Sequence, residues 1–81
     1  MSMETDQVQA LLAAGLPGAQ IEVSGDGRHF SALIVSADFA GKSLIQRHRQ
    51  VMATVRDEID SDALHALSIT AKTPDEIAGS Q

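Results

Sequence analysis

Hydrophobic and polar positions along this 81-residue chain switch between helical and strand periods, and each switch marks an element. From Asp6 to Leu16, Val8, Leu11, Leu12 and Leu16 recur at helical spacing, with Thr5 or Asp6 available as a cap. Gly15, Pro17 and Gly18 end that helix, because proline disfavours helix at the preceding residue and glycine loosens the backbone. Ala19, Ile21 and Val23 then alternate with Gln20, Glu22 and Ser24, the pattern of a half-buried strand. Ser24-Gly-Asp-Gly-Arg-His29 reads as a turn into an antiparallel second strand, Phe30 to Val35. The Ala-Leu-Ile-Val run within it predicts cover on both faces.

Ser36 to Lys42 is expected to form a loop or a short helical turn. Ser43 opens the most regular helix, running to about Ile59. Leu44, Ile45, His48, Val51, Met52, Val55 and Ile59 share one face, while Gln46, Arg47, Arg49, Gln50 and Arg56 point elsewhere. After the polar link Asp60-Ser-Asp62, Leu64 to Ala71 reads as a third strand. It sets Ala66, Ser68 and Thr70 on one side and His65, Leu67 and Ile69 on the other. Thr73-Pro-Asp-Glu76 starts a short last helix, with a capping-box pair and proline at the first helical position. The order helix, strand, strand, helix, strand, short helix gives an α+β two-layer sandwich, with helices on one face of a three-stranded sheet. Length allows one domain, residues 1–81.

Composition narrows the chemistry. With no cysteine there is no disulfide framework, zinc knuckle or thiol nucleophile, which fits a reducing compartment. No apolar run approaches the roughly 20 residues that span a bilayer. The start, Met1-Ser-Met-Glu-Thr-Asp6, is acidic and lacks the apolar stretch of a signal peptide, so a cytoplasmic protein is expected. The net charge of −5 is unevenly spread. Arg28, Lys42, Arg47, Arg49 and Arg56 make the middle third basic, between two acidic thirds. Bulk charge opposes tight non-specific nucleic-acid binding, while the local cluster leaves room for a weak version.

The three histidines are the sharpest candidates for chemistry, since neutral imidazole is a common metal ligand. His29 and His65 fall at the mouths of strands, but neither has a second ligand at short spacing, so spacing alone favours a solvated turn residue and a partly buried edge residue. His48 falls on the apolar stripe of the long helix and reads as a hydrogen-bonded structural residue. Lys42, Arg47, Arg49 and Arg56 could contact phosphates, but no aromatics interleave with them for base stacking, and a solvated helix face is the default. Gly41-Lys-Ser43 resembles the end of a phosphate loop, yet Ser36 stands where the upstream glycine is required. The serines have no recognisable base and orienting acid, and Asp57, Glu58, Asp60 and Asp62 lack a calcium-loop pattern. No residue constellation supports an enzyme.

Three segments resemble the BolA family, in its short bacterial branch: Val23-Ser-Gly-Asp-Gly-Arg-His-Phe30, Phe39-Ala-Gly-Lys-Ser-Leu-Ile-Gln-Arg-His-Arg-Gln-Val51 and Leu64-His-Ala-Leu-Ser-Ile-Thr-Ala-Lys-Thr-Pro74. The resemblance implies an αββααβα fold like the class II KH domain, with the central helical region in two parts, a separate short turn near Asp38–Lys42 preceding the long helix. It implies a non-enzymatic adaptor in iron–sulfur trafficking that partners a monothiol glutaredoxin. In such a mixed complex a [2Fe–2S] cluster is shared, the glutaredoxin and glutathione supplying sulfur. His65, before Ala66, matches the family's ligand at that place. The variable loop ligand of the family corresponds to Asp26, between Gly25 and Gly27, and His29 is the loop's only imidazole and the preferred ligand. Two imidazoles on one iron and sulfurs on the other would raise the reduction potential over all-thiolate ligation, and acid would weaken the site. Alone, the chain is expected to be a monomer or weak homodimer without a cluster. The alternative reading is a nucleic-acid-binding transcriptional regulator using Lys42, Arg47, Arg49 and Arg56, although the Gly-x-x-Gly clamp of KH domains is missing between the central helices.

Overall fold

A computed structural model describes residues 4–61, 64 and 66–79. The order is α1 (Thr5–Gly15), β1 (Gln20–Gly25), β2 (His29–Val35), a 3-10 turn (Ala37–Phe39), α2 (Leu44–Ala53), α3 (Arg56–Asp60), β3 (Ala66–Lys72) and α4 (Pro74–Gly79). This is the expected αββααβα arrangement. The sheet order is β1-β2-β3, with β2 antiparallel to β1 and parallel to β3. Among the described residues, no helix is long and apolar enough to cross a membrane.

The hairpin follows from its loop residues. Gly27 takes a φ of 96°, a left-handed conformation that side chains disfavour. Asp26 Oδ1 accepts from the N–H groups of Arg28 (3.0 Å) and His29 (2.9 Å), and the Asp26 N–H donates to the His29 carbonyl. The carboxylate thereby replaces missing backbone partners at the tip, as aspartate does in many tight turns.

β2 alternates strictly. Phe30, Ala32 and Ile34 are buried, whereas His29 and Ser31 are exposed and Leu33 and Val35 half-buried. The expectation of cover on both faces is therefore corrected. The helices cover only one face, and the apolar Leu33 and Val35 sit on the open one at the middle of the sheet. Opposite the inner residues stand Val8, Leu12, Leu16, Phe39, Val51, Val55 and Leu64, completing one apolar core. Each large side chain so buried contributes about 1.5–3 kcal/mol.

Several element boundaries differ from those the periodicity predicts. Glu4, not Thr5 or Asp6, starts α1, in a reciprocal pair with Gln7 whose Oε1 accepts from the Glu4 N–H at 2.8 Å. β3 begins at Ala66 rather than Leu64 and ends at Lys72. The long helix from Ser43 to Ile59 is two helices, broken at Thr54 and Val55. There the Thr54 hydroxyl (2.7 Å) and N–H (3.0 Å) both donate to the Val51 carbonyl, and the Val55 N–H donates to Met52. These tight contacts end α2 and turn the chain so that Val55 enters the core. The break also lies against α1. A Cβ on Gly15 would stand 2.4 Å from Thr54 Cγ2, so the two helices meet where one has no side chain.

Ser43 and Gln46 cap α2 reciprocally, at 2.8 and 3.2 Å. Thr73 and Glu76 do the same for α4, at 2.7 and 3.1 Å, as the sequence indicates.

Candidate functional site

The orientation of α2 decides which of its residues can meet a partner, and it differs from the amphipathic reading. Arg47 is 7% exposed, on the same side as Val51, while Leu44 and Ile45 are 76% and 64% exposed. His48 is exposed too, which corrects its placement as a structural residue packed on the sheet. Arg47 faces inward because its guanidinium finds three acceptors there. Its Nε donates to the Lys42 carbonyl at 3.1 Å, and its Nη1 donates to the Ala71 carbonyl at 3.1 Å and to Glu76 Oε1 at 2.7 Å. The guanidinium also lies 5.9 Å from the Phe39 ring centre. A charged head held by three hydrogen bonds and a ring contact can be buried. Arg47 thus ties α2, β3 and α4 together and is not available to a phosphate, which removes it from the basic set. Lys42, Arg49 and Arg56 remain exposed, with Lys42 Nζ donating to Gln50 at 2.6 Å.

Glu76 answers Arg47. The Arg47 guanidinium and the Thr73 N–H hold its carboxyl down to about 2, well below its usual 4.5. The capping pattern Thr73-x-x-Glu76 marks that residue in the sequence. Nothing local marks its bond to Arg47, which is made 29 residues away.

At the other end of the sheet, His29 opens β2 with its side chain exposed and on the face opposite Phe30. Its Cα partner across the parallel ladder is Ala66, the first residue of β3. His65 precedes Ala66 in the sequence and lies outside the described residues. Asp26, the other loop candidate, spends Oδ1 on two main-chain N–H groups. Those of His29 and Arg28 lower its pKa below the usual carboxylate value. Among the described residues, no three His, Asp or Glu side chains converge on a self-contained ion site.

Fold and loop together define a BolA-type domain, and comparison with known proteins agrees. The model of the BolA family, "BolA-like protein", matches residues 8–76, and this chain belongs to that family. It is 36% identical over 76 residues to the acid stress protein IbaG of Escherichia coli K12, a match covering 94% of this chain and 90% of that protein. It is 48% identical over 65 residues to the SufE-like protein 1 of Arabidopsis thaliana, covering 79% of this chain but 17% of that longer protein. Among solved structures, a BolA homologue from Coxiella burnetii superposes with a TM-score of 0.84 at 32% identity, covering 94% of this chain and 97% of that one. The BolA domain of SufE1 from A. thaliana gives a TM-score of 0.79 at 37% identity, covering 94% and 98%.

Proposed function

We propose that this chain is a non-enzymatic cytoplasmic adaptor that shares a [2Fe–2S] cluster with a monothiol glutaredoxin, His29 and His65 supplying nitrogen ligands to one iron. The carrying observation is the β2–β3 register, in which His29 pairs with the residue directly after His65. An exposed imidazole at a strand mouth is reachable by a cluster held on another protein. Asp26, occupied with the hairpin's N–H groups, is the weaker claimant to the loop ligand. The occurrence of the same domain within a SufE-like protein points the same way, toward iron–sulfur chemistry. In this reading the glutaredoxin cysteine and glutathione bring the sulfur ligands that a cysteine-free chain lacks.

The test is a titration of the purified chain into a monothiol glutaredoxin with glutathione, ferrous iron and a sulfide source. Visible absorption and circular dichroism should develop into a spectrum distinct from that of the glutaredoxin homodimer. An unchanged spectrum with His65→Ala would remove the proposal. The nucleic-acid reading loses support with Arg47 buried, leaving Lys42, Arg49 and Arg56. It still requires retention on DNA at low salt that falls steeply as salt rises, and no retention would end it.

A further inference from the structure

The loop between β1 and β2 is built around one residue, His29. Asp26 Oδ1 accepts from the His29 N–H at 2.9 Å, and the Asp26 N–H donates to the His29 carbonyl at 3.2 Å. A single residue thus holds both main-chain groups of His29. The same Oδ1 accepts from the Arg28 N–H at 3.0 Å, which fixes the residue leading into His29 as well. Gly25 makes room for the arrangement. A Cβ there would stand 2.5 Å from the His29 carbonyl oxygen and 2.7 Å from Phe30 Cδ1, so the carbonyl lies where only a residue without a side chain leaves space. Gly27 closes the tip with its left-handed φ of 96°.

Hairpin tips are where a sheet opens most readily, because their residues have few buried contacts. A metal ligand at such a place needs holding by outer partners if it is to meet an incoming centre at a fixed position. His29 has that support on both sides. Phe30, next in the chain, is 2% exposed and anchors the strand in the core, while Asp26 bonds the main chain from the turn. The imidazole itself stays exposed on the opposite face. The direction of its Cα–Cβ bond is thereby set, and the ring remains free to turn toward a ligand. The two N–H groups also hold the Asp26 carboxyl below its usual pKa, so it remains an anion that only accepts hydrogen bonds.

We propose that Asp26 is a positioning residue for His29: with Gly25 it clamps the His29 main chain, sets where the loop imidazole meets the cluster, and supplies no ligand of its own. The inference rests on the reading of His29 as a ligand. It goes further by dividing the loop's two candidates into a ligand and its holder, and by giving the Gly25-Asp-Gly27 turn its purpose. Ligation by Asp26 instead would require its carboxylate to reach iron while Oδ1 stays bound to two N–H groups.

Asp26→Asn and Asp26→Ala separate these roles. Asparagine suits a tight turn and keeps the Oδ1 acceptor, but it carries an NH2 group in place of the second carboxylate oxygen. Parent and variants, labelled with nitrogen-15 histidine, are assembled with a monothiol glutaredoxin, glutathione, ferrous iron and sulfide, and the reduced cluster is read by pulsed electron paramagnetic resonance. Amide hydrogen exchange is measured on each apo chain. Asp26→Asn should leave the cluster spectrum and both histidine couplings as in the parent. Asp26→Ala should speed exchange at the His29 amide about tenfold, as loss of a charge-assisted hydrogen bond implies. It should also broaden or remove the His29 coupling while the His65 coupling persists, with Phe30 and Ile34 amides still protected as a check on the fold. The inference is overturned if Asp26→Ala keeps the parent's sharp His29 coupling. It is equally overturned if Asp26→Asn alters the cluster spectrum as much as Asp26→Ala does, which would make the carboxylate a ligand. Absence of a His29 coupling in the parent would overturn the ligand reading itself, and the inference with it.

Discussion

Replacing Arg47 by alanine removes the bond from Nε to the Lys42 carbonyl and both Nη1 bonds, to Ala71 and Glu76. A hydrogen bond from a charged donor is worth about 1.5–3 kcal/mol when partly buried, and the two carbonyls lose their partners together. The Glu76 contact adds little, because that carboxylate is half-exposed and screened by solvent. Loss of the guanidinium's place over the Phe39 ring works in the same direction. The expected cost is about 2–4 kcal/mol, with the Glu76 contact left out of the sum. For a domain of this size that lowers the midpoint of thermal unfolding by about 10–25 °C. Arg47→Lys keeps the charge, but a single ammonium cannot serve both carbonyls and the carboxylate, so it should lose about half as much. Arg49→Ala, on the exposed side of the same helix, should stay within about 0.5 kcal/mol of the parent. The assay is urea and thermal unfolding followed by circular dichroism. Equal midpoints for Arg47→Ala and Arg49→Ala would refute the reasoning, because the buried and the exposed arginine would then be equivalent.

Gly15→Ala should destabilise the fold despite alanine's advantage in helices of about 1 kcal/mol. Its Cβ would lie 2.4 Å from Thr54 Cγ2 and 2.8 Å from Thr54 Cβ, and overpacking of this kind costs about 1–3 kcal/mol. Adding Thr54→Ala should recover part of the loss in a denaturant series. Glu76→Gln should be less stable than the parent at pH 7. Since the folded-state pKa is depressed to about 2, the contribution of Glu76 is fully present above about 4.5 and disappears as pH falls toward 2. Unfolding midpoints of the two proteins should converge over that window, and a constant gap would show that the charge is not involved. Asp26→Ala should loosen the hairpin tip, seen as faster amide exchange at Arg28 and His29, because both N–H groups lose their acceptor.

Most of the fold was legible because the apolar periods of α1, β1 and β3 reflect a single covered face. β2 misled because a run of four apolar residues hides its alternation, and only the packing of the helices on the other face shows that Leu33 lies toward the open one. α2 misled for a different reason. Its charge pattern counts Arg47 as polar, yet a guanidinium with three acceptors buries more readily than Leu44 near a helix start. Those acceptors lie on the backbone of other elements and on Glu76, so no local pattern could announce them. The place of His29 at a strand mouth was readable from the glycine-rich turn. Its pairing with Ala66 was not, since register is set by the parallel ladder.

Pulsed electron paramagnetic resonance on the reduced mixed cluster asks most directly which atoms hold the iron. The chain would be labelled with nitrogen-15 histidine and assembled with unlabelled glutaredoxin and glutathione. Two strongly coupled nitrogen-15 nuclei are expected, one vanishing with His29→Ala and the other with His65→Ala. A reduced cluster showing no histidine nitrogen coupling, or one that keeps both couplings in either variant, would contradict ligation by this pair.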